Sequence, residues 1–217
     1  MLAAGVLGCG SGGQPDSADS KPSPESAVKT AGTRTVTING RSVAYNWMSY
    51  WGDTGSGRIR KNACTFEYKE LDADNIASSF AGNVAGLVPG SVVFFKFCFV
   101  DFDGSNLARR EGELEQVIGT ARAKGLKLVV GNALPVRAQD GNARIVNEEK
   151  KFNEFLAGKA DAGPNIWVLD MNGVLAGPDG YLKPGYDTGD SHPNNTAYAA
   201  LDQVLFPLLD NAFAGTH

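Results

Sequence analysis

The sequence predicts an α/β fold in which a mainly parallel sheet of five strands lies between two layers of helices. Two segments, 91–102 and 126–136, are almost continuous apolar runs rich in β-branched and aromatic residues. Such runs are typical of strands buried on both faces of a parallel sheet. Segments with helical spacing of apolar residues separate these runs, and this alternation favours a three-layer α/β/α sandwich.

The first structured segment is predicted to be a β-hairpin that extends the N-terminal side of the sheet. Residues 33–47 contain two β-prone runs on either side of Asn39-Gly40, and Asn-Gly is the strongest short-range hairpin signal. We expect the second run, 42–47, to be the first core strand.

The rest of the chain alternates helices with strands. Helices are predicted over 71–87, 106–125, 145–160 and 194–213, with Pro207 as a kink or break in the last one. Strands are predicted over 91–102, 126–136 and 165–175. Sites in open α/β sheets form beyond the carboxyl ends of the strands, so we expect the chemistry in the loops that follow them.

Composition excludes several classes of function. The chain has 217 residues, 42% of them hydrophobic and 20% charged, with a net charge of −4. A mildly acidic chain without a basic run gives no reason to expect a nucleic-acid partner. No apolar stretch is long enough to span a membrane, and no cysteine pair has the spacing of zinc ligands. We therefore expect a monomer with no metal and no cofactor.

Residues 1–32 are predicted to form a lipoprotein-like segment and linker ahead of a folded domain at 33–217. The segment “MLAAGVLGCGSGG” places Gly8 before Cys9 and resembles the end of a bacterial lipoprotein signal, in which the cysteine is lipidated. It lacks a basic n-region and a full-length h-region, so a tail with an incidental cysteine is the alternative. We expect an exported protein of the bacterial cell envelope, held to the membrane only by a lipid anchor, or a secreted protein.

Two further cysteines bear on the redox state of the domain. In an exported protein, Cys64 and Cys98 have the opportunity to form a disulfide. Cys98 lies in an apolar run, where a buried free thiol is equally consistent with the sequence. Both interpretations stay open at this stage.

Ser49 is the candidate nucleophile. It is the first hydroxyl beyond the predicted strand 42–47, and the backbone amides that follow a strand end are able to face a developing oxyanion. The alternatives are a polar turn residue at this position, and Ser56 as the nucleophile from a more distant loop.

His192 is the candidate general base, since histidine accepts and releases protons near neutral pH. Asp190, two residues earlier, is close enough in sequence to orient the imidazole, as in a Ser-His-Asp triad. Asp187 is the fallback for this acidic residue. A surface turn is the alternative interpretation, because Asp, Ser, Pro and Asn also favour turns and helix caps.

Taken together, these segments resemble the SGNH/GDSL hydrolase superfamily, whose fold is a flavodoxin-like α/β/α sandwich. The resemblance covers roughly residues 42–210. Its specific part is “DSHPNNTAY” (190–198), which is similar to the family's D-x-x-H-P-N block although the aspartate lies two residues before His192. The chain order, with the serine first and the acid and base last, is also that of the family.

The resemblance also predicts where the oxyanion donors should lie. “KFCFVD” (96–101) is similar to a K-F-C-Y-V-D motif of an SGNH-like subgroup, and it places Val100 where the family has a donor asparagine and Asp101 at the aspartate that follows. The remaining oxyanion donors would be the amide of Ser49 and the Gly82-Asn83 pair. Lys96 alternates with phenylalanines, so we expect it to be buried and paired with a carboxylate.

The resemblance implies a cell-envelope serine esterase or acetylesterase that acts on O-acyl groups of carbohydrate. Its substrate would be a small-molecule or polysaccharide ester, and Ser49, His192 and Asp190 would form the triad. The alternative is an SGNH-like domain with impaired catalysis that binds surface glycans or proteins. Substitution of the family's asparagine by an apolar residue favours that alternative.

Overall fold

The computed structural model describes residues 34–216 and confirms the predicted α/β class. The strands are β1 (Arg34–Gly40), β2 (Arg58–Lys61), β3 (Cys64–Glu70), β4 (Val92–Lys96), β5 (Lys127–Gly131) and β6 (Ile166–Leu169). The helices are α1 (Ser42–Tyr50), α2 (Ile76–Asn83), α3 (Leu107–Ala123), α4 (Ala143–Asp161), α5 (Met171–Leu175) and α6 (Asn195–Ala214). The predicted lipidation site Cys9 lies outside the described residues, with the whole of 1–32.

The strand order of the sheet is β2-β3-β1-β4-β5-β6. The sheet is mainly parallel, as predicted, with β3 as one of its five parallel strands in place of the predicted strand 42–47. The sixth strand, β2, adds an antiparallel edge through its pairing with β3. The chain leaves β1 towards β3 and then returns to the other side of β1 with β4. The switch point of the sheet therefore lies between the carboxyl ends of β1 and β4, which is where open α/β sheets place their sites.

The hairpin predicted about Asn39-Gly40 is wrong. A two-residue type I′ turn needs positive φ at both central residues, and neither Asn39 nor Gly40 is among the described residues with positive φ. The sheet has its hairpin between β2 and β3, where Asn62 and Ala63 have φ values of 46° and 60°.

The segment that follows Gly40 is helix α1, not the first core strand. Its buried side chains are Val43, Ala44, Trp47 and Met48, a spacing that places them on one face of a helix. Gly40 lets the strand end approach this helix closely, because a Cβ at this position would lie 2.6 Å from the Cβ of Ala44. The aromatic and β-branched composition of 42–47 favours a strand. Its apolar residues repeat with the period of a helix, and the segment folds as a helix.

Helices cover both faces of the sheet and complete three layers. Contacts between helices group α1, α5 and α6 on one side and α2, α3 and α4 on the other. The five parallel strands supply buried apolar residues to both layers. Among residues 34–216, no helix has both the length and the apolar character needed to cross a membrane.

Cys64 and Cys98 are both buried and both free, so of the two interpretations left open by the sequence the structure has the free thiols. Cys64 begins β3, whereas Cys98 follows the end of β4, and β1 lies between these two strands. Two strand spacings amount to about 9.5 Å, which is beyond the reach of a disulfide.

Asp202 joins α1 to α6 inside the protein. Its carboxylate accepts hydrogen bonds from the indole nitrogens of Trp47 and Trp51 at 2.9–3.1 Å. Trp47 also stacks on Tyr198 of α6, with ring centroids 5.9 Å apart. Burial raises the pKa of the Asp202 carboxyl, and the two indole bonds oppose that rise. The buried carboxylate of α6 and the buried indole N–H groups at α1 therefore each find their hydrogen-bond partner only in the other helix.

We expect Asp202→Ala to lower the free energy of unfolding by about 2–4 kcal/mol, because it leaves two buried indole N–H groups without an acceptor. Urea denaturation of the variant and the wild type measures this difference. Asp202→Asn is the matched control, since its amide oxygen still accepts a bond, and its loss should be clearly smaller. An alanine variant as stable as the wild type would show that the contact between α1 and α6 is dispensable.

Candidate active site

Ser42 is the first residue of α1 and lies at the switch point of the sheet. The chain ends β1 at Gly40, turns at Arg41 and enters the helix at once. This strand–turn–helix path leaves the Ser42 side chain exposed at the carboxyl edge of the sheet.

His192 connects this serine to an acidic residue. The Nε2 atom of His192 lies 3.0 Å from the Oγ atom of Ser42, and its Nδ1 atom lies 3.0 Å from Oδ1 of Asp190. With Nδ1–H donating to the carboxylate, Nε2 carries the lone pair that accepts the Ser42 proton. The three side chains thus have the connectivity of a Ser-His-Asp triad.

The loop 187–193 holds the imidazole in place. Thr188 donates its hydroxyl proton to Asp190 Oδ1 at 2.7 Å, and its amide donates to the His192 carbonyl at 2.9 Å. Phe99 packs edge-on against the His192 ring, with centroids 5.0 Å apart. The hydrogen bond from Thr188, followed by that from His192, holds the pKa of the Asp190 carboxyl below its ordinary value. Asp190 therefore stays ionised while it orients His192.

Ser191 carries the strained backbone of this loop. Its φ is 69°, a left-handed conformation that costs energy for a residue with a Cβ. Its hydroxyl donates to Asp140 and accepts from the amide of Arg137, and its amide donates to Asp187. Asp187, the fallback acid of the sequence analysis, thus supports the turn and Asp190 reaches the imidazole.

Ser49 is not at the site, contrary to the prediction that made it the nucleophile. It lies two helical turns beyond Ser42, about 10 Å along the axis of α1, and its hydroxyl donates to the Tyr45 carbonyl. The error follows from the assignment of 42–47 as a strand, which moved the expected strand end seven residues too far. The rival Ser56 bonds to Asp53 in the loop before β2.

The oxyanion donors also differ from those predicted. The Nδ2 group of Asn83 donates to the side chain of Asn39 and to the carbonyl of Glu70, so both of its hydrogens are used within the fold. Gly82 lies in the last turn of α2, and none of the hydrogen bonds among residues 34–216 joins it to Ser42. The first turn of α1 leaves its own amides without intrahelical acceptors, so the Ser42 amide is a candidate oxyanion donor in place of the Ser49 amide.

Cys98, and not Val100, faces the serine. Its Sγ lies 3.8 Å from Ser42 Oγ, whereas the Val100 side chain is 57% exposed. The match of Val100 to the family's asparagine gave no indication of this contact between Cys98 and Ser42. A thiol is a weaker hydrogen-bond donor than an amide, so this side of the site has reduced donor strength.

Asp101 fixes the turn that precedes Ser42. One carboxylate oxygen accepts a hydrogen bond from Arg41 at 2.6 Å, and the other accepts one from the amide of Cys98 at 2.6 Å. Arg110 donates to the Asp101 carbonyl from α3. The buried carboxylate thus ties the end of β1 to the turn after β4, and the sequence motif gave no indication of this role.

Lys96 lies beneath the site at the end of β4. It is fully buried, as predicted, but its Nζ has no hydrogen-bond partner among residues 34–216. The expected pairing with a carboxylate is therefore absent. Burial lowers the pKa of the Lys96 amine, and the nearby Cys98 and Asp101 only partly oppose that change.

Of the aromatic residues around Ser49, Trp47 and Trp51 lie in the core and Tyr45 is exposed. Within the described part of the chain, no group of three or more His, Cys, Asp or Glu side chains is arranged to hold a metal ion.

Comparison with known proteins relates the fold to solved structures. No protein-family model and no curated protein matches the chain in sequence. A Bacteroides fragilis protein assigned as an acylhydrolase matches with a TM-score of 0.63 at 16% identity, covering 84% of this chain and 89% of that one. A GDSL-like lipase from Bacteroides thetaiotaomicron has a TM-score of 0.61 at 13% identity over 83% and 89% of the two chains. A member of the lipolytic G-D-S-L family from Veillonella parvula has a TM-score of 0.61 at 18% identity over 80% and 97%.

These likenesses show that the chain has the SGNH/GDSL-like hydrolase fold. The fold predicted from the resemblance of 190–198 is thereby confirmed.

We expect Lys96→Met to raise the free energy of unfolding at pH 7 by about 1–4 kcal/mol, because methionine fills a similar volume without an unpaired buried amine. Denaturant unfolding at several pH values tests this. The wild type should become more stable as the pH rises from the lowered pKa of Lys96 towards the ordinary lysine value of about 10.4, since the unfolded chain there binds the proton that the folded chain has lost.

The methionine variant should lack that rise in stability with pH. Lys69→Met removes an exposed lysine from β3, a strand of the same sheet that does not adjoin β4, and serves as the matched control, with little change expected. A loss of stability at all pH values in Lys96→Met would mean that the amine has a partner that stabilises the fold.

Proposed function

We propose that the protein is a serine ester hydrolase in which Ser42 is the nucleophile, His192 the general base and Asp190 the residue that orients His192. The observation that carries the proposal is the pair of 3.0 Å contacts that His192 makes, one to Ser42 and one to Asp190. The fold shared with acylhydrolases and GDSL-like lipases supports the same reaction class.

The first half of the reaction forms an acyl-enzyme. Ser42 Oγ attacks the ester carbonyl carbon while His192 Nε2 takes the hydroxyl proton. The amides at the start of α1 stabilise the negative charge that develops on the carbonyl oxygen, in a direction that the helix dipole also favours. The tetrahedral intermediate then breaks its bond to the alcohol oxygen, which leaves with the proton from His192.

The second half releases the acid. A water molecule gives one proton to His192 and attacks the acyl carbon, and the bond to Ser42 Oγ breaks as His192 returns the proton to that oxygen. If the hydroxyl of a second alcohol replaces water, the same steps transfer the acyl group to it. Throughout, the negative charge of Asp190 stabilises the imidazolium form of His192.

For the biological setting, we propose O-acyl groups of carbohydrate at the bacterial cell envelope. The resemblance of the segment around Cys9 to a lipoprotein signal supports the location. The short Asp-x-His spacing at 190–192 supports the substrate class through its similarity to branches of the superfamily that act in alginate acetylation.

A second candidate function is binding of glycans or proteins without turnover. Cys98 favours it, because a thiol beside Ser42 replaces the stronger amide donor expected from the family. Loss of one oxyanion donor costs a factor of about 10²–10³ in rate. Absence of both turnover and labelling by a fluorophosphonate would favour this function.

We expect Ser42→Ala to lower kcat/KM for p-nitrophenyl acetate by about 10³-fold or more and to abolish fluorophosphonate labelling, because no other group in the triad forms the acyl-enzyme. Ser56→Ala is the matched control, since this hydroxyl bonds to Asp53 and to the backbone of Arg58 and not to the triad, and it should keep both properties. Labelling that persists in Ser42→Ala and disappears in Ser49→Ala would restore Ser49 as the nucleophile.

We expect kcat/KM of the wild type to fall as the pH is lowered, because protonated Nε2 of His192 cannot accept the Ser42 proton. The carboxyl of Asp190 should not produce this limb, since its pKa is held below the ordinary value. Steady-state rates on p-nitrophenyl acetate from pH 4 to 9 measure the profile. A flat profile over this range would exclude His192 as the base.

A further inference from the structure

A groove of about 680 Å³ runs beside the triad on the side of α1 and α6. One wall is the exposed face of α1, with Asn46, Ser49 and Tyr50, and Asn46 lies one turn beyond Ser42. The opposite wall consists of Thr188 and residues 193–196, which directly follow His192. The groove therefore adjoins the contact between Ser42 and His192.

The lining of this groove is polar but uncharged. In the part of the chain that the structure describes, no Asp, Glu, Lys or Arg lines it. The side-chain amides of Asn46 and Asn195 and the Thr196 hydroxyl make no hydrogen bond within residues 34–216. Each amide offers donors and an acceptor at once, which is what the hydroxyl groups of a sugar require.

The other polar groups of the groove already have hydrogen-bond partners. Within residues 34–216, the free polar atoms are therefore those of Asn46, Asn195, Thr196 and Tyr50. Asn194 uses its side-chain oxygen to cap α6 and its nitrogen to bind carbonyls of the preceding loop. The Thr188 hydroxyl is bound to Asp190. Tyr50 stacks on the buried Tyr198, with centroids 5.7 Å apart, and so gives the groove a rigid aromatic end.

We propose that this groove is the subsite for the alcohol part of the substrate and that it takes a neutral sugar ring, with Asn46 and Asn195 as the residues that determine specificity. The proposal rests on the proposed ester hydrolase and names the part of the substrate that the groove binds. Its volume lies within the range of about 300–1,000 Å³ that small-molecule sites occupy.

The same lining argues against other occupants. A phosphorylated or acidic sugar would meet no basic side chain in the groove, and a long acyl chain would desolvate free amides without giving them hydrogen-bond partners. A neutral ligand with several hydroxyl groups needs no basic side chain and gives the free amides hydrogen-bond partners.

The test compares two classes of substrate in one set of variants. The sugar substrates are methyl glycosides of glucose, galactose and N-acetylglucosamine, each with a single O-acetyl group, and p-nitrophenyl acetate is the reference ester without a sugar. The quantity measured is the ratio of kcat/KM for the preferred acetylated glycoside to kcat/KM for p-nitrophenyl acetate. Asn46→Ala and Asn195→Ala should each lower this ratio by about threefold to tenfold, as expected for one lost hydrogen bond. Ser49→Trp, which fills the groove from an exposed position, should lower the ratio further.

Asn147→Ala is the matched control, because Asn147 is an exposed asparagine on α4, outside the groove. It should leave both activities unchanged. If the ratio is the same in all groove variants and the wild type, the proposal is wrong. If Ser49→Trp instead impairs hydrolysis of p-nitrophenyl decanoate and spares the sugar esters, the groove holds the acyl chain and the proposal is also wrong.

A binding measurement separates this proposal from the proposed function. Ligand-observed NMR with the non-acetylated glycosides and the Ser42→Ala protein needs no turnover. Binding that is lost in the Ser42→Ala/Ser49→Trp double variant supports the groove even if the wild type hydrolyses no ester. The absence of binding for all three glycosides, in a protein whose wild type hydrolyses p-nitrophenyl acetate, would overturn the groove and leave the hydrolase intact.

Discussion

The contact of α1 with α6 through Asp202 is the constraint on which the arrangement of the site depends. Ser42 begins one of these helices, and His192 lies three residues before the other, 150 positions away along the chain. A separation of 3.0 Å between their side chains therefore requires α1 and α6 to be fixed in position relative to each other. The bonds of Trp47 and Trp51 to Asp202, buried between stacked rings, provide a directional restraint that apolar packing alone does not.

The sheet supplies the second restraint, across its switch point. Because β1 and β4 are neighbours and parallel, the turns that follow them meet at one edge. Asp101 bonds to Arg41 from one turn to the other and so fixes the backbone immediately before Ser42. The position of Ser42 is thus determined by two buried carboxylates, Asp202 in the helix layer and Asp101 at the strand ends.

The sequence was sufficient for the fold class and for the contact between Asp190 and His192, because those depend on local signals. Continuous apolar runs predicted β4 and β5, and Asp190, His192 and the helix cap Asn194 all lie within 190–194. Ser42 was missed because aromatic and β-branched residues after Gly40 resemble a strand in composition. The spacing of Val43, Ala44, Trp47 and Met48 was the signal that would have placed a helix start, and hence the exposed serine, at Ser42. The bond of Asp101 to Arg41 and those of Asp202 to the indoles could not be predicted, since each joins segments at least 60 residues apart.

Features that oppose local stability gather around this one edge of the sheet. Lys96 is buried with no hydrogen-bond partner among residues 34–216, Ser191 has a left-handed backbone, and Cys98 places a thiol against Ser42. Residues that violate local rules persist where the surrounding structure over-determines them, and they are concentrated at functional sites. Since the two carboxylate contacts described above restrain the site from both sides, the edge tolerates these costs. The clustering is therefore a physical reason, independent of the resemblance to known hydrolases, to assign function to this edge.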